Sequence, residues 1–190
     1  MFFIITSIAA QEVEEAEVSP YSLGDQTFSV HAGVLLPLFF HFLDGEPAEA
    51  GFDHLSLGGM GGLEWGGYLD GGLKIGVELG GSFAFSKLER TLVMLPLTGS
   101  IMYEFRFYPF EIALHGAVGI NFLRLDDDLY VGPILKPRVS AHWNYNTEWA
   151  FGLRIDYWWV PELYIGGDIP AVQGGFGNFL SITLSTLYHF

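Results

Sequence analysis

The stretch Leu180-Ser-Ile-Thr-Leu-Ser-Thr-Leu-Tyr-His-Phe190 decides the fold. Its even positions carry mostly large apolar or aromatic residues, namely Leu180, Ile182, Leu184, Tyr188 and Phe190, whereas serine or threonine stands at positions 181, 183 and 185. Successive side chains of a β-strand point to opposite faces. The period of two therefore predicts a strand with one apolar face and one polar face.

The same alternation recurs in seven earlier segments, which begin near residues 28, 55, 73, 95, 112, 135 and 149. Short turns at 66–71, 106–110 and 145–147 alternate with connections at 37–54, 86–92, 123–133 and 160–178. The first of these connections, and the last two, are the longer ones. Turns alternating with longer loops are typical of an up-and-down meander. An even number of strands then places both termini at the end of the short turns.

The two faces of these strands differ in kind. The apolar face is bulky and carries no charge, while the other face is mostly glycine, serine, alanine and threonine. The second face also carries nine ionisable residues: Glu64, Lys74, Glu78, Glu104, Lys136, Arg138, Glu148, Arg154 and Asp156. Five are acidic and four are basic, so we expect salt-bridged pairs between neighbouring strands.

Composition limits the class of protein. Only 16% of the 190 residues are charged, against about 25% in an average soluble domain, and no apolar stretch approaches the roughly 20 residues of a membrane-spanning helix. The net charge of −14 argues against nucleic acid as a partner, since such binding needs a basic surface. The absence of cysteine excludes disulfides, thiolate metal sites and a lipidated cysteine anchor.

Two architectures fit eight alternating strands: a soluble ligand carrier with the apolar face inside, or a membrane barrel with that face toward lipid. The interior of an eight-stranded barrel is barely wide enough for side chains, which favours the small and ionic face inside. Aromatic residues support this choice because they gather in two bands, as in the girdles of outer-membrane barrels. One band is predicted at the short-turn end, at Trp65, Tyr68, Tyr103, Phe105, Phe107, Tyr108, Phe110, Trp143, Tyr145, Trp149, Tyr188 and Phe190. The other is predicted at the long-loop end, at Phe39, Phe40, Phe42, Phe83, Phe85, Phe122, Tyr157 and Trp159.

The sequence thus predicts an all-β protein, a closed antiparallel up-and-down eight-stranded transmembrane β-barrel over residues 27–190. Because every backbone polar group must be paired in lipid, the first and last strands must close the ring. Pro96 and Pro137 each remove a ladder donor and predict bulges or local breaks. Residues 1–10 are interpreted as the end of a signal peptide, and residues 11–26 as an acidic N-terminal segment in the periplasm.

The last strand resembles the C-terminal signal of bacterial outer-membrane barrels, with alternating apolar residues, Tyr188 near the end and a terminal Phe190. The chain as a whole resembles the small barrels of the OmpA, OmpX and OmpW type. The resemblance implies insertion in outer-membrane lipid with both termini periplasmic. It also implies recognition by the barrel-assembly machinery through Tyr188 and Phe190.

Three functions remain open. A structural or surface-interaction barrel with a largely plugged polar lumen is favoured by the paired charges, with its surface partner unidentified. The alternative is an OmpW-like narrow channel for small hydrophobic molecules, with an apolar pocket at the outer mouth formed by Leu35, Leu38, Met94, Trp158 and Phe179. A lipid-modifying enzyme is least favoured, because the neighbouring Ser140 and His142 point to the lumen. No histidine pair has metal-site spacing, and we expect no metal, cofactor or catalytic residue.

Overall fold

A computed structural model describes residues 22–42, 56–85, 91–125, 128–161 and 175–190. The strands in these ranges are β1 (Gln26–Phe42), β2 (Gly58–Tyr68), β3 (Leu73–Phe85), β4 (Thr91–Phe107), β5 (Phe110–Leu125), β6 (Asp128–Asn144), β7 (Trp149–Pro161) and β8 (Gly175–His189). Within the same ranges, no helix is long and apolar enough to cross a membrane. The predicted signal peptide and nearly all of the acidic N-terminal segment lie outside the described residues.

The eight strands form one closed barrel in which each strand is antiparallel to the next. The ring closes between β1 and β8, whose pairing runs from Thr27 with His189 to Phe42 with Gly175. Beyond this ladder, the backbone of Gln26 exchanges hydrogen bonds of 2.9 and 3.0 Å with that of Phe190. Closure pairs the backbone groups of both edge strands, as hydrocarbon surroundings require.

Burial shows which face points outward. On β7, Leu153 and Ile155 are 43% and 37% exposed, whereas Arg154 between them is 2% exposed. The same alternation places Leu184 outside, at 72% exposed, and Ser185 inside, at 4%. The bulky apolar face therefore surrounds the barrel and the small and ionic face fills it, which is the arrangement of a membrane barrel and not of a soluble ligand carrier.

The aromatic band at the short-turn end is present with one correction. Rings such as Trp65, Tyr103 and Phe107 are 47–63% exposed, but Tyr68 is 1% exposed and lies in the lumen. Tyr68 stands an odd number of residues after Trp65, so strand alternation turns it inward. At the other end Phe83, Phe85, Phe122 and Trp159 are exposed, while the side chains of Phe39, Phe40 and Phe42 lie outside the description.

The strands define two different ends of the barrel. The turn end carries the connections at 69–72, 108–109 and 145–148, and the loop end is the opposite one. The predicted long loop at 123–133 is wrong, because β5 and β6 stay paired as far as Leu125 with Asp128. These strands continue past the roughly 9–11 residues needed to cross the bilayer. The outer face of the extension keeps an apolar alternation, with Phe122, Leu129 and Val131 exposed.

Proline interrupts three ladders. Between β3 and β4 the register passes from Leu79 with Leu97 to Ser82 with Met94, which skips Pro96. Between β6 and β7 it passes from Leu135 with Trp159 to Arg138 with Asp156, which skips Pro137. The third irregularity is a shift between Pro37 and Phe39 on β1. Each proline lacks the N–H that a ladder hydrogen bond needs.

Candidate functional site in the barrel lumen

Six charged side chains cross the middle of the lumen and form what we call the ionic cluster: Glu64, Glu78, Lys136, Arg138, Arg154 and Asp156. None of them is more than 7% exposed. Arg138 is at the centre, since its guanidinium donates to Glu64 at 2.7 Å, to Glu78 and to Asp156. Three acids and three bases make the cluster neutral if all are ionised.

The register explains why the cations are needed. Glu64 on β2 stands directly opposite Glu78 on β3, and like charges at such positions are destabilising. Arg138 and Arg154 reach across the bore and bridge this pair, with Arg154 at 3.0 Å from Glu64 and 3.1 Å from Glu78. Lys136 adds a third contact to Glu78, at 2.5 Å. Every carboxylate in the cluster is therefore compensated, as burial of charge requires.

His31 fills the remaining space beside the cluster, in the room left by the missing side chain of Gly62. His31 Nδ1 lies 2.8 Å from Arg154 Nη1 and accepts its hydrogen bond. A Cβ atom at Gly62 would approach the His31 ring to 2.6 Å, so the imidazole occupies the space that any other residue at position 62 would need. Together with the six ions, this ring closes the bore at its middle.

The turn end of the lumen is polar and contains a small cavity. A cavity of about 20 Å³, room for about one water molecule, is lined by Thr27, Ser29, Glu64, Lys74, Met102, Glu104, Ala113, His115, Ser140, His142, Arg154 and Leu187. Two histidine–serine contacts border it, His115 with Ser140 at 3.0 Å and His142 with Ser185 at 2.8 Å. Such a volume accommodates no lipid chain.

Further toward the turn end, a second polar layer includes Glu111 and Asn144, neither of which was predicted to face the lumen. The Tyr68 hydroxyl donates to Glu104 at 2.7 Å, and Asn144 donates to Glu111 at 2.7 Å. Glu111 is 3% exposed and belongs to β5, which begins at Phe110, two residues before its predicted start near 112. Strand alternation would have placed both residues inside the barrel, since Glu111 is two residues from Ala113 and Asn144 is two residues from His142.

The loop end of the lumen holds an apolar cluster, formed by Leu35, Met60, Ala84, Leu92, Met94, Leu123, Ile134, Trp158, Val160 and Phe179. All of these side chains are at most 7% exposed, so the cluster is packed. It meets the ionic cluster at Trp158, whose ring lies 4.4 Å from Lys136 Nζ. The indole of Trp158 also donates to Ser181 at 3.1 Å, and Ser181 contacts Asp156 at 3.3 Å.

The structure places the predicted site residues unequally. Eight of the nine predicted charges lie inside the barrel, all of them buried, whereas Glu148 is exposed in the turn before β7. Of the proposed pocket residues, Leu35, Met94, Trp158 and Phe179 lie in the apolar cluster. Leu38 does not, because it is 46% exposed and sits at the register shift of β1, three residues from Leu35 and so on the opposite face.

No metal centre is evident in the residues described. No group of three or more histidine, aspartate or glutamate side chains there is arranged to hold a metal ion. Ser140 and His142 both point into the lumen, as predicted, and each bonds a residue on a neighbouring strand.

Comparison with known proteins supports the architecture. One protein-family model matches residues 9–188, and no curated protein matches the chain. The crystal structure of Neisserial surface protein A has a TM-score of 0.66 at 10% identity, over 88% of this chain and 97% of that one. The outer-membrane protein OprG from Pseudomonas aeruginosa has a TM-score of 0.54 at 12% identity, over 90% of this chain and 97% of that one. At such identities the likeness establishes the fold, and the activity has to be argued from the side chains.

Proposed function

Because this chain belongs to the family whose model spans residues 9–188 and is an outer-membrane β-barrel in fold, we propose that it works as a closed barrel with a structural or surface-interaction role. The turn end and both termini face the periplasm, and the loop end faces outward. The barrel anchors the loop-end connections in lipid and presents them to a surface partner.

The ionic cluster is the observation that supports this proposal. Six paired charges span the bore, and the packed apolar cluster lies above them. An ion entering from the turn end meets side chains that already compensate each other. Separating them costs several kcal/mol, because each partner left alone is a buried charge. A barrel with such a lumen is suited to a structural role in the membrane and not to the conduction of ions.

Planar-bilayer recording of the refolded barrel tests this function. The wild-type protein should give no steady ion current. A matched variant, Glu78→Ala with Arg138→Ala, removes one charge of each sign and empties the centre of the bore, so it should conduct. A steady current through the wild type would contradict the proposal, and a silent double variant would show that the packed apolar cluster above the charges also closes the bore.

A second function is supported by the loop end. Its apolar cluster lies beside the ladder interruptions at Pro96 and Pro137, where fewer hydrogen bonds hold the wall together. A small hydrophobic molecule entering from outside would reach lipid sideways there, without passing Arg138 at the centre of the ionic cluster. Neither this route nor the closed barrel needs a catalytic residue, and we propose that the protein is not an enzyme.

Uptake of a small alkane into proteoliposomes tests this second function. Pro137→Val restores a ladder donor at the gap and should slow uptake. Pro133→Val is the matched control, since it makes the same substitution four residues away on β6 and leaves the gap between Leu135 and Arg138 as it is. Equal uptake by both variants and the wild type would contradict a lateral route at Pro137.

A further inference from the structure

The turn end of the lumen holds two carboxyl groups in direct contact. Glu104 on β4 and Glu111 on β5 are 7% and 3% exposed, and their side chains form a hydrogen bond with each other. An ionised carboxylate can only accept hydrogen bonds, whereas a protonated carboxyl group can also donate one. The contact therefore requires a proton on the pair, since two carboxylates at that separation would repel each other.

The neighbouring donors indicate which of the two residues is ionised. Glu104 accepts a hydrogen bond of 2.7 Å from the Tyr68 hydroxyl and lies 3.8 Å from Arg106 Nη2. Glu111 accepts one of 2.7 Å from the neutral amide of Asn144. The cation stabilises the charged form of Glu104, so we assign the proton to Glu111, which donates to Glu104.

The other charges near the pair lie on the side of Glu104. The ammonium of Lys74 and the guanidinium of Arg106 are 5.2 and 5.4 Å from the centre of the Tyr68 ring, the residue that donates to Glu104. The titratable side chains that face the pair are Tyr68 on β2, Lys74 on β3, Arg106 on β4, His142 on β6 and His189 on β8. One negative charge on the pair is thus compensated without ionisation of Glu111.

We propose that Glu104 and Glu111 bind one proton between them at neutral pH and form a pH-sensitive latch at the turn end of the lumen. The proton completes a hydrogen-bonded chain from Tyr68 on β2, through Glu104 and Glu111, to Asn144 on β6. Release of the proton breaks the central link and places a second negative charge beside the first. The turn end should therefore loosen as the pH rises.

This latch goes beyond the proposed function, because it acts at the turn end and leaves the ionic cluster in place. The conductance experiment and a proton-binding experiment can therefore fail separately. A conducting wild type would contradict the closed barrel and leave the latch standing, and a carboxyl pair without a proton would do the reverse.

Infrared spectroscopy of the barrel in a detergent without ester groups detects the proton directly. A protonated carboxyl group has a C=O stretching band above the amide I band, and an ionised carboxylate has none there. The wild type should show this band at neutral pH and lose it on titration to alkaline pH. Glu111→Gln should lack the band, while Glu148→Gln is the matched control in an exposed turn and should keep it.

Unfolding at different pH values measures what the latch contributes. Between about pH 6 and about pH 9 an ordinary glutamate is already ionised, so the folded barrel binds one proton more than the unfolded chain and its stability falls as the pH rises. The unfolding equilibrium constant of the wild type should rise by at most about tenfold per pH unit, the linkage value for one proton. Glu111→Gln keeps a donor toward Glu104 and should remove this rise, whereas Glu148→Gln should retain it.

Three results would overturn the inference. One is a wild type without a carboxylic acid band at neutral pH, a measurement that needs no variant to refold. Another is a band that persists in Glu111→Gln, which would place the proton elsewhere. The last is a Glu111→Gln barrel whose unfolding depends on pH as that of the wild type does.

Discussion

At the scale of single residues, Arg138 donates hydrogen bonds to all three carboxylates of the ionic cluster. Its guanidinium joins Glu64, Glu78 and Asp156, which come from β2, β3 and β7. A planar fork with five donors can serve three carboxylates at once, whereas the single ammonium of lysine cannot reach all of them. Removing this side chain would leave buried carboxylates with too few cations.

Arg138→Met should therefore lower the free energy of unfolding by about 3–5 kcal/mol, the range for breaking a buried ion pair. Urea unfolding of the barrel in lipid vesicles, followed by tryptophan fluorescence, measures the change. Glu148→Gln is the control, because Glu148 is exposed in a turn, and it should change stability by less than about 0.5 kcal/mol. Equal effects of the two substitutions would refute the central role of Arg138.

A charge placed on the outer face should also lower the stability of the barrel, because it would be exposed to hydrocarbon. Leu184 is 72% exposed and lies between the two aromatic bands, so Leu184→Arg should destabilise the barrel by about 2–4 kcal/mol in vesicles. Leu69→Arg places the same charge in a turn at the edge of the apolar band and should cost about 0–1 kcal/mol. The same unfolding assay compares them, and a harmless Leu184→Arg would mean that this wall does not face hydrocarbon.

Strand alternation predicts which way a side chain points, and the failures at this scale have simple causes. Leu38 and Tyr68 were assigned by residue type and position near a strand end, although their parity places them on the other face. Glu111 was missed because residues 106–110 were assigned to a turn, whereas β5 begins at Phe110. Pairing between charges could not be predicted, since it depends on side chains that reach across the bore from strands distant in sequence.

At the scale of strands, the closing ladder between β1 and β8 decides whether the barrel exists. Ala32 stands directly opposite Leu184 in this ladder, and Val34 opposite Ile182. These contacts join the first strand of the barrel to the last, so they have the largest sequence separation of any strand pairing in the barrel. A shift of one residue would turn every lumen side chain of a strand toward lipid, so the register is strongly specified.

A cysteine pair tests that register in a chain with no other cysteine. Ala32→Cys with Leu184→Cys should form a disulfide on mild oxidation, because directly opposite Cα atoms lie about 4.5–5.5 Å apart. Ala32→Cys with Ile182→Cys joins diagonal positions at about 7–8 Å and should cross-link poorly. Gel mobility under non-reducing conditions reads the result, and efficient cross-linking of the diagonal pair would contradict the register.

The C-terminal strand is also the expected contact for barrel assembly. Phe190 is 59% exposed and its ring stacks only on that of Tyr188 at the surface among the ring contacts described, so Phe190→Ala should lower the yield of assembled barrel in cells while leaving refolding in detergent unchanged. Phe107→Ala removes an equally exposed ring, 63% exposed, at the same end and should do neither. Loss of refolding in Phe190→Ala would assign the residue a structural role instead.

The number of strands, their faces and the three short turns were predictable, because lipid and a narrow bore impose opposite residue types on alternate positions. Their ends at the loop side were not predictable to the same degree. The stretch 123–133 contains three consecutive aspartates, Asp126–Asp128, yet the strands continue up to Leu125 and from Asp128. Leu129 and Val131 continue the outer apolar face of β6, but the aspartates next to them conceal this alternation in the sequence.

At the scale of the whole molecule, the two ends of the barrel face different compartments. An epitope inserted in the connection between β7 and β8 should be accessible to antibody on intact cells, because that connection is at the loop end. The same epitope inserted between Tyr145 and Asn146, in a turn at the other end, should be accessible only after permeabilisation. Labelling of the second insertion on intact cells would reverse the proposed orientation.

The distribution of the ionic cluster has a consequence for how such a chain enters the membrane. Its members come from β2, β3, β6 and β7, so no hairpin on its own neutralises its charges. A partly formed sheet that entered the hydrocarbon would expose unpaired guanidinium and carboxylate groups to acyl chains. Penetration of the bilayer and curling of the sheet are therefore coupled, and the chain passes from the surface to the spanning state in a single cooperative event.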